Sequence, residues 1–300
     1  MSSRTKLSRG LLTVGLVAII SVSCKSQTAF PRQAIESACV ALREAPSDGV
    51  RLERHEALKE IWRQWLTGAS VEDAFAFEPA SLQQTLGIVD AGKGPDQIRI
   101  ISWNVELSDR THRYGGFVIL PTGWTELNHD ERMRDRDVLD DQRRFKPDDW
   151  PGAIYYDVVI EYRRGRAYHL LLGWQGADAL TTRKFAEGLE IQRGRIRFGA
   201  PWLEVDGRRT KRYHLIYGDD VSATLRQEES TGRIVMDHLS APSAELTGFH
   251  HFYGPDFTYD AFIWEKDTWQ LVRNIEVIDP SQNRPWIDPN PRKRRRQSQP

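Results

Sequence analysis

The pattern of apolar and polar residues divides the chain into a helical beginning and a long β-rich body. Two stripes of apolar residues at helical spacing, one starting at Arg32 and one at Asp48, predict a helical pair over residues 32–68. The second stripe contains Trp62 and Trp65. These rings could face a membrane or a partner helix, but aromatic residues at helical spacing are more typical of a core.

After the helical beginning the period of the pattern changes to 2, and short alternating runs are separated by turn residues. Asp206-Gly207 is the strongest hairpin signal, because a type I′ turn needs positive φ at both central residues. The last hairpin joins residues 259–264 to residues 269–277. We therefore predict a mainly β fold with an N-terminal helical pair. The β domain is an antiparallel meander over residues 69–279, closed as a sandwich, a barrel or a propeller-like sheet.

Two stretches of this body depart from the alternation. Residues 121–150 mix acidic and basic side chains along their length, which predicts a solvated surface insertion within the β domain. Residues 181–190 have a pattern long enough for a helix. Neither stretch supports a parallel α/β sheet, because helix-length patterns do not alternate with the strands.

The two ends of the chain differ from the body. Residues 1–23 combine three basic residues, a short apolar run and small residues, which predicts a cleaved export signal peptide. Cys24 follows directly, where a bacterial lipoprotein is cut and acylated, and residues 24–31 form a tether. Residues 280–300 are rich in proline and arginine and predict a disordered tail. We therefore expect an extracytoplasmic protein, in the periplasm or on the outer membrane, anchored by a lipid at Cys24.

Charge and cysteine content narrow the function classes. The formal net charge is zero, but removing the three bases of the leader and the five of the tail from 42 leaves 34 basic against 42 acidic residues. A body that is mildly acidic is not expected to bind nucleic acid. Cys39 lies on the first helical stripe and is expected to be a buried structural thiol, while pairing with Cys24 in an oxidising compartment is the alternative.

The densest group of aromatic and acidic residues lies between residues 233 and 277. We predict that a binding surface, if the chain has one, includes these side chains: Asp237, His238, Tyr253, Asp256, Tyr259 and Asp260. Asp178 is a further candidate carboxylate. Simpler structural roles are open for the acids: Asp256 can bond its own backbone in a turn, and Asp237 with His238 can cap neighbouring backbone.

Recognisable catalytic motifs are missing from the sequence. There is no His-Glu-x-x-His motif, and His250 and His251 would point to opposite faces of a strand. There is no Gly-x-Ser-x-Gly elbow, and the aspartate-rich runs lack the spacing of a calcium loop. We therefore assign no catalytic residue, no metal site and no cofactor from the sequence.

The β body contains several short motifs: Ile101-Ser-Trp-Asn104, Tyr114-Gly-Gly-Phe117, Gly152-Ala-Ile-Tyr-Tyr156, Leu171-Leu-Gly-Trp174, Asp237-His-Leu-Ser240 and Phe252-Tyr-Gly-Pro-Asp256 with Tyr259-Asp260. These motifs resemble those of a family of uncharacterised exported proteins from Bacteroidetes-type bacteria. They cover about residues 75–278. The resemblance implies an envelope location and a shared β-rich body, and it carries over no catalytic residue because the family has no assigned activity.

Two functions are compatible with these observations. The first is a non-enzymatic envelope lipoprotein that binds a glycan, a peptide or an envelope partner through the surface near residues 253–260. The second is a periplasmic hydrolase of carbohydrates, with Asp237, Asp256 and Asp260 as candidate acid, base or nucleophile. The hydrolase requires two of these carboxylates about 5 to 10 Å apart across one aromatic-lined cleft.

Overall fold

The computed structural model describes residues 29–78 and 85–276. The predicted signal peptide (1–23), the lipidation site Cys24 and the predicted tail (280–300) lie outside these ranges. Within them the protein is mainly β with a pair of N-terminal helices in contact, which confirms the predicted fold class.

The described residues begin with three helices: α1 (Ala29–Arg43), α2 (Asp48–Gly68) and α3 (Val71–Ala76). Trp62 is fully buried and Trp65 is partly buried, so the aromatic stripe belongs to the core as predicted. Cys39 is a free, buried thiol, and burial raises its pKa to about 12, which fits the predicted structural role. Within the described ranges, no helix combines the length and the apolar character that crossing a membrane requires.

The strands form three sheets. The first sheet has the order β1-β2-β3-β4, with β1 (Gly87–Ala91), β2 (Ile98–Glu106), β3 (His112–Leu120) and β4 (Gly123–Asn128). The central sheet has the order β11-β7-β6-β5, with β8 also paired to β7. Its strands are β5 (Ile154–Arg163), β6 (Arg166–Gly176), β7 (Thr181–Gln192), β8 (Arg195–Ala200) and β11 (Arg212–Gly218).

The C-terminal sheet has the order β10-β9-β15-β14-β13-β12. Its strands are β9 (Leu203–Val205), β10 (Arg208–Thr210), β12 (Leu225–Gln227), β13 (Ile234–Ser240), β14 (Gly254–Glu265) and β15 (Thr268–Val272). All pairs of these strands within the described residues are antiparallel, except that β15 is parallel to β9. The predicted last hairpin is present as β14 and β15, although its second strand ends at Val272.

Three hydrophobic cores separate four layers. The helices pack on one face of the first sheet, through residues such as Trp62 and Phe117. The opposite face of that sheet packs against the central sheet, through residues such as Val118 and Phe185. The other face of the central sheet packs on the C-terminal sheet. The first and central sheets are therefore covered on both faces, and β2, β3 and β6 each contain six or seven consecutive buried residues.

A polar contact joins the second helix to the first sheet inside the apolar layer. The Trp103 indole N–H donates a hydrogen bond to Nδ1 of His55, at 3.0 Å between the nitrogens. Gly115 lies opposite Trp103 in the register, and a Cβ there would come within 2.3 Å of an indole carbon. Glycine at position 115 therefore gives the indole the room to reach His55.

The segment 121–150 keeps its charged side chains exposed or only partly buried, as its composition predicts, but a few of its apolar residues anchor it in the fold. Its beginning is the strand β4, and Leu127 in that strand is fully buried. Further along, α4 (Asp135–Val138) is a single helical turn, and Phe145 and Trp150 are fully buried. A few large apolar residues, spaced among many charges, are enough to pack this segment against the central sheet.

A buried ion pair fastens this segment. Arg212 and Glu187 are register partners on β11 and β7, each at most 2% exposed, and Nε of Arg212 donates to Glu187 at 2.7 Å. The same guanidinium donates to the main-chain carbonyls of Asp140 and Arg143 and lies 4.6 Å from the centre of the Phe145 ring. One arginine therefore connects two strands with the charged segment.

The helix-length pattern at residues 181–190 is also misleading, because these residues belong to β7, the longest strand of the central sheet. Both faces of β7 are covered, so residues 185–189 are all buried and the period of 2 disappears. Its alanine, lysine, glutamate and leucine favour a helix locally, and pairing with β6, β8 and β11 overrides that preference.

The His55–Trp103 contact makes stability dependent on pH. Burial lowers the pKa of His55 to about 4 from the model-peptide value of 6.5, so between these values the unfolded chain binds the proton first. The free energy of unfolding should be constant above pH 6.5 and fall as the pH drops towards 4, by at most about 3 kcal/mol from this residue.

Urea unfolding across this pH range measures the effect. His55→Asn keeps an oxygen near the position of Nδ1 but removes the titrating group. It should therefore reduce the slope of the free energy of unfolding against pH, and it should cost some stability at pH 7. Burial also lowers the pKa of His129, so part of the slope should remain. An unchanged slope in His55→Asn would contradict this account.

Candidate functional site

The predicted site residues meet at an irregularity between β13 and β14. Asp237 pairs with Tyr259 and Leu239 pairs with Pro255, so three residues of β14 oppose only His238. Such a bulge bends its strand and turns side chains out of their regular alternation. The bulge therefore determines which of the predicted residues lie together.

His238 and Asp260 are in direct contact at this bulge. Nδ1 of His238 donates to Oδ2 of Asp260 at 2.9 Å, and the other carboxylate oxygen accepts the Asn274 amide at 2.9 Å. Arg273 lies 3.5 Å from the same carboxylate, which is 3% exposed. The imidazole is 36% exposed, so a buried carboxylate orients a partly exposed histidine.

Asp237 serves the structure of its own strand. Its carboxylate accepts the Thr224 amide at 2.6 Å, and the Asp237 amide donates to the Thr224 carbonyl at 3.1 Å. Asp237 thus caps neighbouring backbone, as the simpler interpretation of the sequence expects. Its carboxylate therefore bonds to a different partner from the His238–Asp260 pair.

Asp256 stabilises the bulge. Its Oδ1 accepts both the amide and the hydroxyl of Thr258, at 3.0 and 2.7 Å, and these bonds lower the pKa of Asp256. Phe257, which lies between Asp256 and Thr258, has a φ of 68° and a side chain that is 90% exposed. A bulky residue at positive φ is an outlier that costs about 1–3 kcal/mol, and here it holds a phenyl ring in solvent.

Further apolar side chains are exposed close to this bulge. We call them the phenylalanine surface, which consists of Leu180, Val221, Phe249, Phe252 and Phe257, exposed at 61, 39, 55, 45 and 90%. Main-chain hydrogen bonds hold their loops together: the Gly218 amide donates to the Tyr253 carbonyl and the Asp219 amide to the Leu180 carbonyl, both at 3.0 Å. The surface is therefore built from three fixed loops at one end of the molecule.

Both predicted tyrosines support this surface. The Tyr253 hydroxyl accepts the Gly248 amide at 3.1 Å, which fixes the loop that carries Phe249. The Tyr259 carbonyl accepts the Ile275 amide at 2.8 Å, on the side of the bulge next to Asp260. Both side chains are partly buried, so they position the exposed rings more than they add to the exposed area.

The carboxylates that the sequence offers for a glycosidase are all engaged in local hydrogen bonds. Asp237, Asp256 and Asp260 each accept local hydrogen bonds, and Asp178 accepts the amides of Leu180 and Thr181 at 2.8 Å. Among the described residues no tryptophan is exposed, and no group of three or more His, Cys, Asp or Glu side chains could hold a metal ion. His250 and His251 lie in a short 3-10 helix, not on a strand.

The sequence prediction did not include the most exposed residues of this segment. Phe249, Phe252 and Phe257 are apolar residues among acids and tyrosines, and an apolar residue in such a run is ordinarily expected to be buried. Arg273 and Asn274 follow β15 and approach Asp260 only because β15 pairs with β14. The Gly-Pro-Asp turn signal before Phe257 is the one local indication of an irregular strand.

Comparisons with protein-family models, with curated proteins and with solved structures found no match.

The backbone strain at Phe257 allows a direct test of whether the side chain stabilises the fold. Phe257→Gly removes an exposed side chain and suits the left-handed backbone, so the free energy of unfolding should rise by up to about 1 kcal/mol. Urea unfolding measures the change. Phe252→Gly is the control, because Phe252 is also an exposed phenylalanine, at 45%, but has no positive φ, and the substitution should not stabilise.

If Phe257→Gly instead lowers the free energy of unfolding by more than about 1 kcal/mol, the ring contributes to folding. The interpretation of the bulge as a device that presents this ring would then be wrong.

Proposed function

We propose that the protein is an exported, non-enzymatic binding protein of the cell envelope that is anchored by a lipid at Cys24 and contacts an envelope protein through the phenylalanine surface. The observation that carries the proposal is the exposed ring of Phe257 on a strained bulge, in the same segment of the chain as the exposed rings of Phe249 and Phe252. Exposed apolar groups that are held in place by fixed backbone are typical of interaction sites.

A protein partner fits this surface better than a glycan. Its exposed side chains are three phenyl rings and two aliphatic groups, and none of them carries a hydrogen-bonding group for hydroxyls. The partly exposed His238 and the ionised Asp256 lie at the bulge and supply polar groups at its edge. An apolar centre with a polar rim is the usual composition of a protein interface.

The proposed location rests on the sequence. Residues 1–23 have the composition of an export signal, and Cys24 stands at the position of a lipoprotein cysteine. The resemblance to the exported family of uncharacterised proteins agrees with this location. A lipid at Cys24 would connect to α1 through only a few residues, which would keep the folded part near the membrane surface.

Site-specific photo-crosslinking in cells tests both parts of the proposal. A benzoylphenylalanine in place of Phe257 should give a discrete adduct with an envelope protein, and the added change Phe252→Ser should weaken it. The matched control replaces Tyr162, which is 55% exposed on the central sheet but outside the phenylalanine surface, and should give no adduct. Equal adducts from both positions, or none from position 257, would contradict the proposed surface.

The same cells test the anchor. Metabolic labelling with a fatty acid should mark the protein, and Cys24→Ala should remove the label and release the protein from the membrane fraction. Cys39→Ala is the control that changes the other cysteine and should keep the label. Labelling that survives Cys24→Ala would rule out this anchor.

A further inference from the structure

The phenylalanine surface has an acidic border. Its apolar residues have acidic neighbours in the sequence that are exposed or partly exposed, namely Asp178, Asp219, Asp220, Glu245 and Asp256. Local hydrogen bonds fix two of these acids beside the apolar residues: Asp178 accepts the Leu180 amide at 2.8 Å, and Asp256 accepts the Thr258 amide at 3.0 Å. These negative charges are therefore held in fixed positions next to exposed apolar side chains.

Two arginines that approach this border do not cancel its charge. Arg110 lies 2.6 Å from Asp219, but it lies equally close to Glu106, also at 2.6 Å. Arg273 lies 3.5 Å from the buried carboxylate of Asp260, so its charge is engaged as well. A surface with an apolar centre and an acidic border is complementary to a segment that combines large apolar residues with bases.

A segment of this composition follows the described residues in the same chain. We call residues 277–300 the C-terminal segment, which contains Trp286 and Ile287 and then five consecutive bases at 292–296. In all it has six basic residues and two acidic residues. Its net charge is therefore opposite to that of the border, and its two adjacent large apolar residues suit contact with phenyl rings.

The C-terminal segment begins beside the phenylalanine surface. The Ile275 amide donates to the Tyr259 carbonyl at 2.8 Å, and Tyr259 is two residues from Phe257 in the sequence. Ten residues separate Trp286 from Glu276. A flexible chain of that length has an average end-to-end distance of roughly 17 Å, so the indole is within reach of the exposed rings.

Attachment to the same chain makes even a weak contact effective. A short tether gives a local concentration of about 1 mM, so a segment whose intrinsic Kd is about 1 mM occupies its site for half of the time. A separate protein that binds the same rings has to compete with this local concentration.

We propose that the C-terminal segment occupies the phenylalanine surface, with Trp286 and Ile287 against the phenyl rings and the bases at 292–296 against the acidic border. An envelope protein that binds the surface displaces the segment, so the segment regulates access to the site. This regulation rests on the proposed function, because both concern the same surface. Its test uses purified protein without an envelope partner, so the two proposals can fail separately.

Photo-crosslinking within the purified full-length protein tests the contact. A benzoylphenylalanine in place of Phe257, or of Phe252, should give an intramolecular adduct with the peptide that contains Trp286, located by mass spectrometry. The control replaces Val272, which is 40% exposed and closer in the sequence to the C-terminal segment but lies outside the phenylalanine surface. It should give about fivefold less of this adduct, because proximity along the chain alone does not hold the segment in place.

Substitutions in the C-terminal segment test which side chains make the contact. Trp286→Ser should lower the yield of the adduct about fivefold, because truncating an aromatic anchor at an interface weakens binding tenfold or more. Trp286→Phe should retain most of the yield. Replacing the five bases at 292–296 with glutamine, or raising the NaCl concentration from about 50 to about 500 mM, should also lower it. In cells, Trp286→Ser should increase the adduct between position 257 and the envelope protein.

Three results would each overturn the proposed contact: no adduct from position 257 or 252, an equal yield from position 272, or a yield that Trp286→Ser leaves unchanged. Adducts that form only between isotope-labelled and unlabelled copies would show that a second copy occupies the surface instead. If the purified protein gives the intramolecular adduct but cells give no envelope adduct from position 257, even with Trp286→Ser, only the proposed function is wrong. The reverse result removes only the regulation by the C-terminal segment.

Discussion

The ion pair of Arg212 and Glu187 is the contact on which the arrangement of the layers depends. Two charges placed in an apolar interior lose several kcal/mol each in hydration, and only close mutual contact with further hydrogen bonds offsets the loss. Arg212 meets this requirement through Glu187 and two carbonyls of the charged segment, while the Tyr155 hydroxyl donates to the second oxygen of Glu187 at 3.3 Å. The Trp150 indole in turn donates to that hydroxyl at 3.1 Å. Each partner would be left as an unpaired buried group if the segment moved away.

Buried hydrogen bonds and charges of this kind fix the relative position of the layers, whereas apolar packing alone would allow the layers to slide over each other. It holds β7 to β11 and the charged segment to both, within the interface between the first and central sheets. The turns at the two ends of the central sheet are then presented in constant positions. One end carries the loops around Leu180 and the bulge at Phe257, and the other carries the turns at residues 164–165 and 193–194. Loops positioned by a rigid scaffold are where binding sites are usually found.

The sequence pattern predicts an individual helix or strand correctly where one face of that element is exposed to solvent. The first two helices and the last hairpin show clear periods because half of each is solvated, and their positions are predicted well. β7 is covered on both faces, so its period vanishes and it resembles a helix in the sequence. The segment 121–150 resembles a surface because charges outnumber the few residues, such as Phe145, that decide its packing.

The sequence points to a segment of candidate residues, but it does not predict how the fold arranges them. Asp237 and Asp260 look equivalent in the sequence, yet the bulge opposite His238 joins one to the histidine and leaves the other to cap backbone. The exposure of Phe257 depends on the same bulge. Strand register is a non-local property, and a local pattern cannot specify which residues an irregular pair brings together.

A double-mutant cycle on the buried ion pair, measured by urea unfolding, tests the central claim most directly. Glu187→Leu and Arg212→Leu should each lower the free energy of unfolding by about 3 to 5 kcal/mol, because each leaves an unpaired buried charge. The double variant should lose far less than the sum of the two, because it buries no charge. Single losses below about 1 kcal/mol, or losses that simply add, would show that the pair does not hold the layers together.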